Sequence, residues 1–172
     1  PYIQAQGMLS FNQSVKGAMI RGIDPELEEK VDDFKSHMKQ GSFDSLVPGA
    51  FNIVLGSELA RGLGISVGEK ITLIAPQASV TPVGIVPRLK TFTVSGIFEV
   101  GMFEYDNGLA LIRMEDAQLL YRMEDRVSGV RLKLDDLFKA RAVVQHLART
   151  LDAPAYLSDW TRSHANFFRA VQ

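Results

Sequence analysis

Between two β-type runs, Ile71–Ile74 and Thr91–Phe98, the chain carries the segment APQASVTPVGIVPRLK, and no other stretch limits its fold so narrowly. Thr91–Phe98 alternates Phe92, Val94, Gly96 and Phe98 with Thr91, Thr93, Ser95 and Ile97, the period of a half-buried strand. The intervening segment holds Pro76, Pro82 and Pro87, three of the chain's seven prolines, and no charge from Pro76 to Val86. Solvated loops are dominated by Asp, Asn, Ser and Gly; this one instead carries Val80, Val83, Ile85 and Val86. Its β-branched content argues against disorder. Connections longer than about 12 residues inside a compact domain usually serve a function. Each proline fixes one backbone angle and lowers the entropy of the free segment. Each also removes an N–H, which makes an exposed edge a poorer template for aggregation. Two readings stay open: a stiff apolar projection preorganised to enter a groove on a partner, or a long hairpin folded back over its own core. Arg88 and Lys90 follow at once. They read as a basic pad that steers association and sets register, or as ordinary solvated charges.

Around this segment strands and helices are mixed. Tyr2–Phe11 and Ser14–Gly22 read as strands. Asp24 is suited to cap a helix that has Pro25 at its first position, and Leu27, Val31 and Phe34 mark one face of it. Gly41–Pro48 reads as a loop and Phe51–Leu55 as a short apolar strand. Ser57 is expected to cap the helix SELARGLG, which Gly62 and Gly64 end in left-handed conformations. Asp106-Asn107-Gly108 signals a turn. Leu109–Ile112 then predicts a strand, Glu115–Met123 a short helix, and Val127–Leu132 another strand. Leu137, Ala140, Val144, Leu147 and Leu151 are spaced by three and four, predicting a helix from Asp135 to about Leu151. Ala153–Leu157 reads as a closing strand, and Trp160–Gln172 as the start of a further helix. The fold class is α+β, in two lobes. One is built from both chain ends as a small split βαβ sheet, and the other is an inserted β-rich lobe.

Signals for chemistry are absent from the sequence pattern. The 172 residues carry a formal net charge of -1, so no basic field exists to hold a phosphate backbone. There is no nucleic-acid partner in this reading. No run of about 20 apolar residues is present to span a membrane. The sequence contains no cysteine, which excludes disulfides, thiolate metal sites and a cysteine nucleophile. The N-terminus, Pro1-Tyr2-Ile3-Gln4, reads as a cut from something longer. The glycines of Gly62–Gly68 follow a helix and precede a strand, the reverse of a phosphate-cradling loop. His37, His146 and His164 have no metal-site spacing, and no metal or cofactor is expected. Neither a GxSxG elbow nor a GxxxxGK[ST] loop occurs. The acidic pairs Glu28-Glu29, Asp32-Asp33 and Asp135-Asp136 read as solvated faces near helix starts. A hydrolase with a triad assembled only in space is the alternative from the enzyme class. The residues favour a non-catalytic domain that grips another protein.

The blocks PYIQAQGML, VKGAMIRGIDPELE, FNIVLGSELARGLGISVGEKITLIAP and DWTRSHANFFRAVQ resemble the periplasmic domain of the LolC/LolE permease family. Those permeases belong to lipoprotein-releasing ABC transporters of Gram-negative inner membranes. The framework is shared with the wider MacB-like superfamily. The resemblance implies a two-lobed MacB-like periplasmic domain. A split βαβ porter-like lobe would comprise residues 1–40 and 127–172, and an inserted β-rich Sabre-like lobe residues 41–126. The proline-bounded segment resembles the family's protruding hairpin hook, which engages the soluble lipoprotein carrier LolA. Carried onto this chain, the hook comprises Pro76, Gln77, Ala78, Ser79, Val80, Thr81, Pro82, Val83, Gly84, Ile85, Val86 and Pro87. Thr81-Pro82-Val83-Gly84 matches the family's TPxG pattern. Arg88 and Lys90 are the nearest equivalents of the family's basic pad, while Thr72 and Leu89 stand where it has other members. VSGVRLKLDDLFKA is closer to the LolE type, so hook and strand–helix together imply the LolC type or a LolC/LolE hybrid (LolF) acting as a homodimer. The implied partners are LolA, lipoprotein substrates, another permease subunit or a second copy, and the cytoplasmic ATPase LolD, which would hydrolyse ATP. A MacB-like efflux domain contacting an adaptor protein is the related alternative.

Overall fold

The computed structural model describes residues 1–81, 84–152 and 155–159, with the side chains of all of these except 77–81, 84–86 and 137. The chain forms two compact units, Pro1–Arg131 and Leu132–Gln172.

Among the described residues of the first unit there are seven strands: β1 Ile3–Phe11, β2 Ser14–Ile23, β3 Met38–Gly41, β4 Asn52–Gly56, β5 Lys70–Thr81, β6 Gly84–Phe98 and β7 Leu109–Arg113. They share one sheet in the order β3-β6-β4-β7-β2-β1-β5. Strand β6 also pairs β5, so the pairings β6-β4-β7-β2-β1-β5 return to β6 and close a six-stranded ring. Strand β3 lies against the end of β6, through Met38↔Phe98 and Gly41↔Gly96. The register steps between Ile53↔Val94 and Val54↔Gly96, which leaves Ser95 as a bulge. Bulges bend strands, and this one lies where β6 passes from β5 to β3.

Alternation along the strands sorts side chains onto two cores. Ile53, Leu55, Ala110 and Ile112 join one with Leu73, Phe92 and Val94. Val54, Leu109 and Leu111 join the other with Phe34, Phe43 and Phe98. Strands β4 and β7 are therefore apolar on both faces. The second core carries an edge-to-face pair, Phe34 and Phe98, with ring centroids 5.2 Å apart.

Among its described residues this unit has four α-helices: α1 Pro25–Glu28, α2 Ser57–Leu63, α3 Phe103–Gly108 and α4 Met114–Tyr121. Asp24 caps α1 as expected, its Oδ1 accepting from the Glu26 N–H at 3.0 Å, with Pro25 in the first turn. The helix is short, and Leu27 is exposed whereas Phe34 reaches the second core. Helix α4 comes close to β2 because Gly22 has no side chain: a Cβ there would lie 2.6 Å from the Ala117 Cβ.

Several expectations are corrected. Gly56, not Ser57, is the N-cap of α2, and no side chain caps that end. Gly64 closes α2 at φ 69, but Gly62 lies inside the helix, where φ is negative. Asp106-Asn107-Gly108 is helical, not a turn. The Asp106 carboxylate is buried and accepts from the Val100 and Gly101 N–H groups at 2.8 and 2.9 Å, so the loop before α3 folds onto it. Residues 127–132 make only the bridge Tyr2↔Gly129, because Ser128 and Gly129 bond Tyr2 and Gln4 alone. Glu28 is not solvated: it is 3% exposed and ion-paired with Arg131, which also meets Asp32 at 2.7 Å.

In the second unit, the helix predicted from Asp135 starts as the 3-10 turn Leu137–Lys139 and becomes α5, Ala140–Thr150. Asp136 accepts from the Phe138 N–H at 3.0 Å and so sets the later start. The expected strand Ala153–Leu157 is absent over 155–157, and its first two residues lie outside the described residues. The helix expected over Trp160–Gln172, with His164, lies outside them as well. No described helix is long and apolar enough to cross a membrane.

Candidate partner-docking site

The segment singled out in the sequence is the continuation of β5 and β6. Their backbones pair from Lys70↔Thr93 through Ala75↔Arg88, and again through Ser79↔Val86, Val80↔Ile85 and Thr81↔Gly84. A register shift between Ala75 and Ser79 interrupts the ladder, next to Pro76 and Pro87, which have no N–H to donate. The backbone of Gln77, Ala78, Ser79, Val80, Thr81, Gly84, Ile85 and Val86 belongs to these strands. Pro82 and Val83, the centre of the candidate hook, lie outside the described residues. At its base both Pro76 and Pro87 are exposed.

The two candidate pad cations lie on alternate positions of β6, in phase with Phe92 and Val94. They therefore lie on the core face of the strand, opposite the buried Leu73 and Ala75 of β5. Arg88 Nη1 reaches the Leu120 carbonyl of α4 at 3.5 Å. Lys90 is exposed, and its Nζ stands 3.9 Å from the centre of the Phe51 ring, within reach of a cation–π attraction. Leu89 points the other way and is 59% exposed, while Thr72 is half-buried and pairs both Ser10 and Thr91. The structure thus brings Arg88 and Lys90 to one face and separates them from Leu89.

Sequence reasoning missed the residues beneath this pad. Asp116, in the first turn of α4, is 2% exposed. Its two carboxylate oxygens accept from the Gly49 N–H at 2.8 Å and the Phe51 N–H at 3.0 Å. Burial raises its pKa above the usual carboxylate value, against the lowering effect of these two N–H donors. Phe51 takes φ 50, a left-handed conformation uncommon outside glycine. In sequence, an Asp at that place reads as an ordinary partner of the helix dipole, and nothing links it to a phenylalanine so far upstream.

Among the described residues no cluster of His, Asp or Glu is arranged to hold a metal ion. His37 is tied to its own segment, Nδ1 lying 2.7 Å from the Asp33 carbonyl. His146 is exposed on α5.

The first unit is thus a ring of six strands from which the hairpin β5–β6 continues, with Arg88 and Lys90 on one face of β6. The MacB-like periplasmic core domain matches residues 1–150, and the chain belongs to that family. LolC, the lipoprotein-releasing system transmembrane protein of Xylella fastidiosa strain 9a5c, is 48% identical over the whole chain. LolC of Neisseria meningitidis serogroup B is 43% identical, also over the whole chain. LolE of Haemophilus influenzae is 24% identical across the same span. The chain spans 41–42% of the length of these curated relatives. Within the family, these similarities support the periplasmic domain of a LolC/LolE transporter permease. The extracellular domain of the ABC-type transporter YknZ from Gram-positive bacteria shares the fold. Its TM-score is 0.54 at 11% identity, over 88% of this chain and 72% of that one.

Proposed function

We propose that this chain is the periplasmic domain of an inner-membrane lipoprotein-releasing permease, and that it recruits the carrier LolA through the hairpin 76–87. In that role it helps pass lipoproteins to LolA for sorting to the outer membrane. ATP hydrolysis belongs to a separate cytoplasmic subunit, LolD. The permease works with another permease subunit or a second copy. The single observation that carries the reading is the similarity to LolC across the full chain. The uncharged, proline-bounded sequence between Pro76 and Pro87 adds to it, because a stiff apolar segment loses little entropy on entering a groove. Arg88 and Lys90 stand beside it as the pad.

The test is titration of the chain with the same organism's LolA, comparing the parent with a deletion of residues 80–86. Saturable binding by the parent, abolished by the deletion with an unchanged circular dichroism spectrum, is expected. Val83→Asp and Ile85→Asp are expected to weaken binding at least about 30-fold, since an unpaired polar group in an apolar groove costs about 2 kcal/mol or more. Variants that bind LolA as tightly as the parent would overturn the hook. A parent that ignores LolA but binds a membrane-fusion adaptor would replace this reading with a MacB-like efflux role.

A further inference from the structure

We infer that Phe51, held in place by Asp116, is the positioning residue that fixes Lys90 as the presented cation of the partner-docking face. This rests on the docking reading above and deepens it.

Phe51 is locked from both sides of its own backbone. Its N–H donates to Asp116 Oδ2 at 3.0 Å, and its carbonyl accepts from the Thr93 N–H at 2.9 Å. Asp116 Oδ1 takes the Gly49 N–H as well, so one buried carboxylate holds both ends of a three-residue turn. That turn keeps Phe51 at φ 50. Such conformations persist when the surroundings over-determine them, and they gather at functional sites.

The held ring has two neighbours on β6. Phe92 meets it edge-to-face, with centroids 5.6 Å apart and planes at 76°. Lys90, two residues earlier on the same face, places its Nζ 3.9 Å from the ring centre. A free lysine has considerable rotamer entropy to lose when a partner binds it. The ring takes part of that loss in advance and draws the ammonium to one place without neutralising it, as a carboxylate would. No salt bridge to Lys90 occurs among the described residues, whereas Lys35, Lys39 and Arg113 all have one. The arrangement suits a carboxylate or carbonyl on the partner that must meet a cation at a fixed distance from the hairpin base.

Two readouts on the 172-residue chain test this. The first is the chemical shift of the Lys90 ε-methylene protons, which a ring face moves upfield. The shift is expected in the parent, retained in Phe51→Tyr and lost in Phe51→Leu. Identical positions in the parent and Phe51→Leu would overturn the proposal whatever LolA does. The second is affinity for LolA. Phe51→Leu and Lys90→Met are each expected to weaken it about three- to tenfold. The double variant should bind no more weakly than Lys90→Met, and Phe51→Tyr should bind like the parent. If the two losses simply add, or if Phe51→Leu binds like the parent while Lys90→Met does not, Phe51 does not act through Lys90. A parent that fails to bind LolA overturns the docking reading and the pad role with it.

Discussion

Strands β4 and β7 and the hairpin strands β5 and β6 draw on the same residues, Val, Ile and Leu, yet spend them differently. Ile53, Val54, Leu55, Ala110, Leu111 and Ile112 are all fully buried. Each of β4 and β7 has a paired neighbour on both edges and a core on both faces. Strands β5 and β6 begin in the same ring, with Ile71, Leu73, Phe92 and Val94 in the first core. At the pair Ala75↔Arg88 they pass its end: Ala75 is buried, Pro76 and Pro87 are exposed, and Leu89 is largely exposed. Apolar composition therefore does not by itself mark the interior. Position in the ring decides which apolar residues are buried in the fold and which stay exposed.

The sharpest way to break this contrast is to truncate one side chain in each region. Leu55→Ala removes a fully buried side chain between β6 and β7. A loss of about 3–4 kcal/mol is expected by urea unfolding, since buried Leu→Ala changes cost about 2–5 kcal/mol. Leu89→Ala, of the same chemistry, should stay within about 0.5 kcal/mol of the parent. Equal losses at the two sites would erase the distinction.

A second prediction concerns a polar tie inside the ring. Tyr121 donates to the Gln6 carbonyl at 3.0 Å, and burial pushes its phenol up from 10.0 to about 12. The folded value lies above the unfolded one, so the stability linked to this proton is fully present below pH 10 and is lost as pH rises through 12. Denaturation between pH 9 and 12 should show a loss of roughly 2–3 kcal/mol that Tyr121→Phe does not share. Parallel curves for the two proteins would mean that the phenol is not held as described.

Arg131 provides the third. It pairs with the buried Glu28 and with Asp32, and its guanidinium lies 5.6 Å from the centre of the Tyr2 ring. Burial opposes its charge, but the two carboxylates outweigh burial and raise its pKa. Arg131→Ala leaves Glu28 buried without its partner, and a cost of about 2 kcal/mol is expected, the scale of a hydrogen bond to a charged group. Glu28→Gln with Arg131→Met should recover part of that, because removing both charges avoids the orphan. If the double variant is no better than Arg131→Ala, the loss comes from packing.

How much of this was legible in the sequence follows from how local each cause is. The strands β1, β2, β4 and β7 could be read because their signals, extended character in β1 and β2 and short apolar runs in β4 and β7, lie within five to ten residues. The cap at Asp24 and the closing Gly64 are local too. The helix over Asp106-Asn107-Gly108 could not be read. Its cause is a carboxylate accepting from Val100 and Gly101, and that contact exists only once the loop has folded. Glu28 misled for the same reason, since its partner Arg131 lies 103 residues on. At the candidate site, Arg88 and Lys90 were visible as charges. Phe51 and Asp116 were invisible, because the turn that unites them is closed by hydrogen bonds spanning 65 and 67 residues.

The smallest expected effect on stability is also the most telling for function. Replacing residues 80–86 by a Gly/Ser linker of equal length leaves every core residue among the described side chains in place. It replaces a partner in each of the ladder pairs Ser79↔Val86, Val80↔Ile85 and Thr81↔Gly84 but leaves those from Lys70↔Thr93 through Ala75↔Arg88 untouched. If the segment is held for a partner, urea unfolding should change by no more than about 0.5 kcal/mol, the range of substitutions away from a core. LolA binding should be lost in the same sample. If instead the segment covers the domain's own core, the replacement exposes apolar surface, and burial of about 25 cal/mol per Å² makes even 100 Å² worth about 2.5 kcal/mol. The two readings left open by the proline-bounded sequence therefore differ about fivefold in a single unfolding measurement. That difference is independent of whether any carrier is present in the tube.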